Sequence, residues 1–202
     1  METLVDELAH NAGKDPVEYR RMLLKGKDRN LGVLNTVAEK AGWGKPLPAG
    51  HYQGIAIQEC FGSIIGQVCE VSIAQNGTVG LHKVTCVVDC GWIVNPDTIK
   101  AQMEGGILYG ITAALHGEIT IKNGRVQQNH FGDYPPIRMP DSGHVDVYIM
   151  PSTEAPGGIG EPRTAVAAGS IVNAVAAATG KRIYKLPIRP DMLRGGTNTA
   201  QL

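Results

Sequence analysis

The sequence predicts an α+β fold with mostly antiparallel sheet and packed helices. Three observations predict it. The first fifty residues repeat apolar side chains at helical spacing. Between residues 53 and 89 the period shortens to two. Beyond Pro96 helical and extended runs alternate. The chain has 202 residues and is 43% hydrophobic, enough for one domain or two small ones with a real core. A boundary near residue 50 divides an N-terminal helical segment, 1–50, from an α+β domain over 51–202.

The elements follow in order. "ETLVDELAHNAG" sets Leu4, Leu8 and Ala12 on one helical face and stops at Gly13. "DPVEYRRMLL" starts with Asp15 as N-cap and Pro16 at the first helical position. Glu18 stands where a capping-box acid belongs, and Val17, Met22 and Leu24 are expected to pack. "NLGVLNTVAEKAG" presents Leu31, Leu34, Val37, Ala38 and Ala41, with Gly42 as stop. Strands are expected over 53–60, 63–74 and 78–89, the last two joined by a hairpin at Asn76-Gly77. Pro96 opens a helix, capped by Asn95 or Asp97, that carries Gly105, Gly106 and Gly110. Each costs about 1 kcal/mol relative to alanine, so something is expected to approach the helix backbone closely. A second hairpin turns at Asn123-Gly124, and "YPPIRMP" reads as a rigid crossing with Tyr134 and Ile137 packed beneath. "HVDVYIM" alternates as a strand, and an alanine-rich helix over 163–179 closes at Gly180.

Composition excludes several functions. Nineteen basic residues balance nineteen acidic ones, so there is no electrostatic footprint for nucleic acid or an anionic membrane. No apolar run approaches the roughly 20 residues of a membrane span. The acidic N-terminus does not resemble an export signal, which leaves cytoplasm or periplasm open. Cys60, Cys69, Cys86 and Cys90 lie in strand-like runs and read as four buried reduced thiols. The six histidines show no ligand spacing, and no G-x-S-x-G elbow occurs, so neither a protein-held metal nor a serine triad is expected.

"GGIGEPRTAV", residues 157–166, offers either an ordinary turn with a capping acid or a catalytic base on a glycine-rich loop. Gly158 and Gly160 begin a G-x-G pattern, but Arg163 occupies the third glycine position and Lys181 and Arg182 stand where a ribose-binding acid belongs. A dinucleotide fold is therefore a poor fit. Pro162 is expected to hold Glu161 extended at a helix N-cap, its carboxylate near free amides and the positive end of the dipole. A plain cap would explain an acid there, but not three glycines. Gln102, beside the Gly105-Gly106 pair, can hydrogen-bond a polar heterocycle in both directions or simply face solvent.

Together, "VVDCGWIVNPDTIKAQMEGGILYGITAAL", "FGDYPPIRMP" and "GGIGEPRTAVAAGSIVNAVAAATGKRIYKLPI" resemble the C-terminal part of molybdenum-binding subunits in the xanthine oxidase and aldehyde oxidase superfamily, of the isoquinoline 1-oxidoreductase beta-subunit type. "DELAHNAGKDPVEYRRMLL" resembles the same family's N-terminal helices, so the resemblance covers nearly the whole chain. It implies a molybdenum hydroxylase acting on an aldehyde or N-heterocycle. Glu161 would be the base that takes a proton from a molybdenum-bound hydroxyl. Gln102, Gly105, Gly106, Gly158 and Gly160 would border a molybdopterin, in a dinucleotide form, with 2Fe-2S clusters on a partner subunit. The family's further prolines after the glutamate are replaced here by "RTAVAAGS". Its upstream glycine-rich cofactor loops have no counterpart in this sequence. The expectation is a catalytic portion that needs an upstream molybdenum-binding half and an iron–sulfur subunit, and that carries an exposed apolar face where they dock. The alternative is a folded piece that binds partners without turnover.

Overall fold

The computed structural model describes residues 1–194; the predicted domain's last residues, 195–202, lie outside them. Three helices come first: α1 (Glu2–Asn11), α2 (Pro16–Leu23) and α3 (Asp28–Lys40). Strands β1 (His51–Cys60), β2 (Ser63–Ile73) and β3 (Val79–Asp89) follow, then the long helix α4 (Pro96–Leu115). A short hairpin of β4 (Ile121–Lys122) and β5 (Arg125–Val126) leads through two single 3-10 turns to β6 (His144–Ile149). Helix α5 (Pro162–Thr179) and a single-turn α6 (Pro190–Leu193) complete the fold.

The main sheet runs β1-β2-β3-β6. Its first two pairings are antiparallel, and β6 lies parallel to β3. Strand alternation gives the sheet two apolar faces. Ile65, Cys69, Val84, Cys86 and Val88 meet Met103, Ile107 and Ile111 of α4 and Val166, Ile171 and Val175 of α5. Ile55, Ile64, Val68 and Val87 meet Val33, Leu34 and Val37 of α3 on the other face. The result is three layers, with α3 below the sheet and α4 and α5 above it.

Several helix signals hold. The Asp15 carboxylate accepts from the backbone N–H groups of Val17 (2.8 Å) and Glu18 (3.1 Å). Asn95 caps α4 through Asp97 and Thr98. Gly13, Gly42 and Gly180 have positive φ at helix ends.

The face of α1 does not. Leu4 and Leu8 are exposed, and Ala12 lies outside the core; Asp6 and Ala9 point inward instead. The reason is an ion network that turns the helix. Arg20 of α2 is 1% exposed. It pairs with Glu2 at 2.9 Å and Asp6 at 3.6 Å, and Asp6 also takes Arg182 at 2.7 Å. Glu2 further accepts the N–H of Ile57 on the edge strand β1. With Arg20 inward, Met22 is exposed.

The hairpins differ in detail. Asn123-Gly124 has positive φ at both positions, as a two-residue turn needs. At Asn76-Gly77 only Gly77 does, and Ile73 pairs with Val79 across a longer loop. The turn between β1 and β2 falls on Phe61-Gly62, with φ of 53° and 76° and Cys60 opposite Ser63. Phe61 carries no sequence signal for that conformation. Cys60, predicted buried, is half-buried; the other three thiols are buried as expected. Burial pushes Cys69 and Cys86 up to about 12, so both are inert thiols. Two of the histidines also meet: His51 and His82 stack with ring centroids 3.9 Å apart. Among the described residues no group of three potential ligands forms a metal site.

Helix α5 lies against bare backbone of β1. A Cβ at Gly54 would sit 2.0 Å from the backbone nitrogen of Ala174 and 2.5 Å from the Ser170 carbonyl oxygen. Gly54→Ala is therefore expected to cost about 3 kcal/mol or more, because two backbones must separate. The urea midpoint of the variant checks this; a shift of under about 0.5 kcal/mol, the range of ordinary surface changes, would contradict the packing.

Candidate functional site

Glu161 stands at the N-cap of α5 with φ −128° and ψ −24°, so Pro162 does not hold it extended as predicted. Its backbone carbonyl accepts from the Thr164 N–H at 2.9 Å. Its side chain makes no capping hydrogen bond, so the expected neighbourhood of free amides is not used. Capping therefore does not account for this acid. The carboxylate is exposed at the mouth of an open concavity of about 660 Å³, lined by Gln102, Gly105, Gly106, Tyr109, Gly160, Arg163, Thr164 and Ala165. Its charge reaches Cys60 at the end of β1: burial first, and the Glu161 charge second, raise the Cys60 thiol above its ordinary value.

Of the predicted glycines, Gly105, Gly106 and Gly160 line the concavity and Gly158 does not; the four play two different roles. Gly105 and Gly160 face open space; an added Cβ at either meets nothing within 4 Å. They leave two stretches of bare backbone on the walls of the concavity. Gly106 and Gly158 serve packing. A Cβ at Gly106 would fall 1.6 Å from Arg163 Nε, and one at Gly158 would sit 3.0 Å from Phe61 Cβ. Gly110, one turn on from Gly106, admits the Thr164 carbonyl of α5 in the same way, at 2.5 Å. The close approach that the helix glycines signalled is thus made by α5 itself.

Arg163 is the residue the sequence did not single out. It is 8% exposed and sits between the walls. Its Nη1 donates to the carbonyls of Ile159 and Gly160. Its own carbonyl accepts from Gln67 Nε2 on β2 at 3.0 Å. Burial lowers its pKa, and the Glu161 carboxylate opposes that shift. With the Gln102 amide assigned so that its partners match, the amide oxygen accepts from Arg163 at 3.1 and 3.2 Å. Gln102 is thereby tied to Arg163 at the wall of the concavity. The only sequence clue to Arg163 was a glycine inside a helix with no turn to make, which implies a large neighbour.

A family model described as "Molybdopterin cofactor-binding domain" matches residues 7–142. The chain belongs to the molybdopterin cofactor-binding domain family. It is 36% identical over 221 residues to the membrane-bound aldehyde dehydrogenase (pyrroloquinoline-quinone) of Gluconacetobacter polyoxogenes, a similarity covering 98% of this chain and 28% of that one. It is 33% identical over 195 residues to isoquinoline 1-oxidoreductase subunit beta of Brevundimonas diminuta, covering 95% and 25%. The chain therefore spans about a quarter of the length of these relatives. Among solved structures, quinoline 2-oxidoreductase from Pseudomonas putida 86 shares the fold, with TM-score 0.60, 24% identity and coverage of 64% of this chain and 18% of that one.

The concavity combines Gln102, Gly105 and Gly106 from the matched stretch with Gly160, Glu161 and Arg163 beyond it. It has bare backbone at Gly105 and Gly160, and Gln102 is tied there to the buried Arg163. The two helix glycines separate packing from binding. Gly105→Ala is expected to stabilise the chain by about 0.5–1 kcal/mol through helix propensity. Gly106→Ala is expected to destabilise it by about 1–3 kcal/mol, because Arg163 must move. Paired thermal melts check both signs; two shifts in the same direction would contradict the assignment.

Proposed function

We propose that the chain contributes the base-bearing part of a molybdenum-dependent oxidoreductase acting on an aldehyde or an N-heterocycle. The observation that carries this is Glu161, exposed at the mouth of the concavity and free of the capping bond that its position offers. The names of the relatives support the substrate class: one is an aldehyde dehydrogenase, another oxidises isoquinoline.

Gln102, Gly105 and Gly160 would border the cofactor, a molybdopterin in a dinucleotide form. Gly106 and Gly158 act behind them by admitting Arg163 and Phe61. When bound, the cofactor supplies the two-electron oxidation of the substrate carbon. The protein's own part is proton transfer and placement. Glu161 accepts a proton at a carboxylate oxygen, which makes the attacking group nucleophilic. Gln102 donates to an acceptor atom across the concavity. Arg163 fixes the Ile159 and Gly160 carbonyls, and with them the loop that ends at Glu161.

The reading includes partners: an upstream molybdenum-binding half and an iron–sulfur subunit with 2Fe-2S clusters, assembled in the cytoplasm or periplasm. Among the described residues no helix is long and apolar enough to cross a membrane. Large apolar side chains stand exposed on the segments near the site: Phe61 at 65%, Trp92 at 63%, Val94 at 81% and Tyr109 at 70%. Exposure on that scale fits surfaces that a partner covers. The segments 1–50 and 51–202 are kept as helical and α+β parts of the same assembly.

Co-purification with an upstream half, followed by metal analysis and turnover, tests this. Glu161→Gln is expected to lower turnover by about 10²–10⁴-fold with molybdenum content unchanged. Unchanged turnover would remove the base assignment. Stoichiometric molybdenum in the isolated chain would remove the need for a partner. A bound quinone in place of molybdenum would transfer the reading to the cofactor named for the Gluconacetobacter relative.

A further inference from the structure

Residues 154–158, which deliver the chain to Glu161, have three backbone attachments. Glu154 accepts from the Trp92 N–H at 2.9 Å, Gly157 donates to the Cys90 carbonyl at 2.8 Å, and Gly158 donates to the Phe61 carbonyl at 2.8 Å. Two of the three are made by the short exit from β3, residues 90–92. That exit is itself bent sharply. Gly91 has φ +75°, and a Cβ there would fall 2.2 Å from the Ala155 carbonyl oxygen. The loop of the base is therefore built directly on the shape of this exit.

Asp89 sets that shape, and α3 holds Asp89. The carboxylate is buried and accepts the Gly91 N–H at 3.1 Å. Both of its oxygens also take the Arg29 guanidinium, from Nε at 2.8 Å and Nη2 at 2.9 Å. This two-point contact spans 60 residues and crosses from the lower helix layer to the end of the central strand. Arg29 holds the Asp89 carboxyl below its usual range, with Gly91 and Ser152 adding to the effect against the cost of burial. A bidentate pair fixes orientation as well as charge, which is what a bent strand exit requires.

We propose that Arg29 and Asp89 are a remote positioning pair for Glu161, through which helix α3 sets the placement of the loop that carries the base. The proposal rests on the reading of Glu161 as a base only for its catalytic consequence. The mechanical coupling from Arg29 to residues 154–158 stands apart from it.

The test uses the full chain and amide hydrogen exchange at Trp92, Gly157 and Gly158, with the ladder residues Ala56 of β1 and Val68 of β2 as reference. Arg29→Ala is expected to speed exchange at the three loop amides by roughly ten-fold or more and to leave the references unchanged. Arg29→Lys keeps the charge without the fork and is expected to restore part of the protection. No change at the loop amides, or an equal change at the references in both variants, overturns the coupling. In the assembled oxidoreductase, Arg29→Ala is expected to lower kcat about ten-fold with KM unmoved, the mark of a misplaced group. An unchanged kcat beside an inactive Glu161→Gln overturns the positioning role. If Glu161→Gln remains active, the base reading falls, and the exchange measurement alone decides the coupling.

Discussion

Helix α5 is seated on glycine, and the rest of the structure depends on it. Two backbones can approach as closely as β1 and α5 do at Gly54 only where no Cβ intervenes. The same holds where α4 meets α5 at Gly110, while Gly106 of α4 admits the Arg163 side chain of α5. Three residues without side chains, on two separate elements, thus fix one helix against a strand and another helix. The first residue before that helix is Glu161. Its position is not set by bonds of its own side chain, because it makes none as a cap. It is inherited from how the helix behind it is packed.

Arg163 turns that packing into a site. A buried guanidinium needs acceptors around it, and here they come from the glycine loop and from Gln102. The Ile159 and Gly160 carbonyls and the Gln102 amide oxygen are all engaged by the arginine. The lining of the concavity keeps bare backbone at Gly105 and Gly160, the Tyr109 side chain and one carboxylate. The Arg163 Nε has no partner, and Gly106 lies directly against it. The glycine that looked like space for a ligand is space for the protein's own cation.

How much of this was legible depended on how local the cause was. Asp15-Pro16, Asn95, Asn123-Gly124 and Gly180 act within a few residues, and each did what its chemistry requires. The strands were legible because a sheet with two apolar faces repeats its pattern along every strand. The face of α1 was not. Its apolar period points to Leu4 and Leu8, but Arg20 and Arg182, 18 and 176 residues away from their acids, turn Glu2 and Asp6 inward. Nor could Phe61 be read as a turn residue, since its left-handed φ is imposed by the two-residue connection between long strands. In the site, the acid and the glutamine were legible as chemistry. The split among the glycines was not, because a glycine records only that a side chain is excluded. It does not record what excludes it.

That distinction alters what a glycine-rich loop before a helix means here. In a phosphate-binding loop the glycines free backbone N–H groups to face the ligand. In this chain the N–H groups of Gly157 and Gly158 are spent on the Cys90 and Phe61 carbonyls. Those glycines dock the loop onto the ends of the strands, and only Gly160 remains open beside Glu161. A loop tied down at three points and followed by a packed helix has little freedom left. Its final residue can present a carboxylate to a bound group without being held by that group. A carboxylate that makes no capping bond of its own keeps its lone pairs free to accept from a bound group or from solvent.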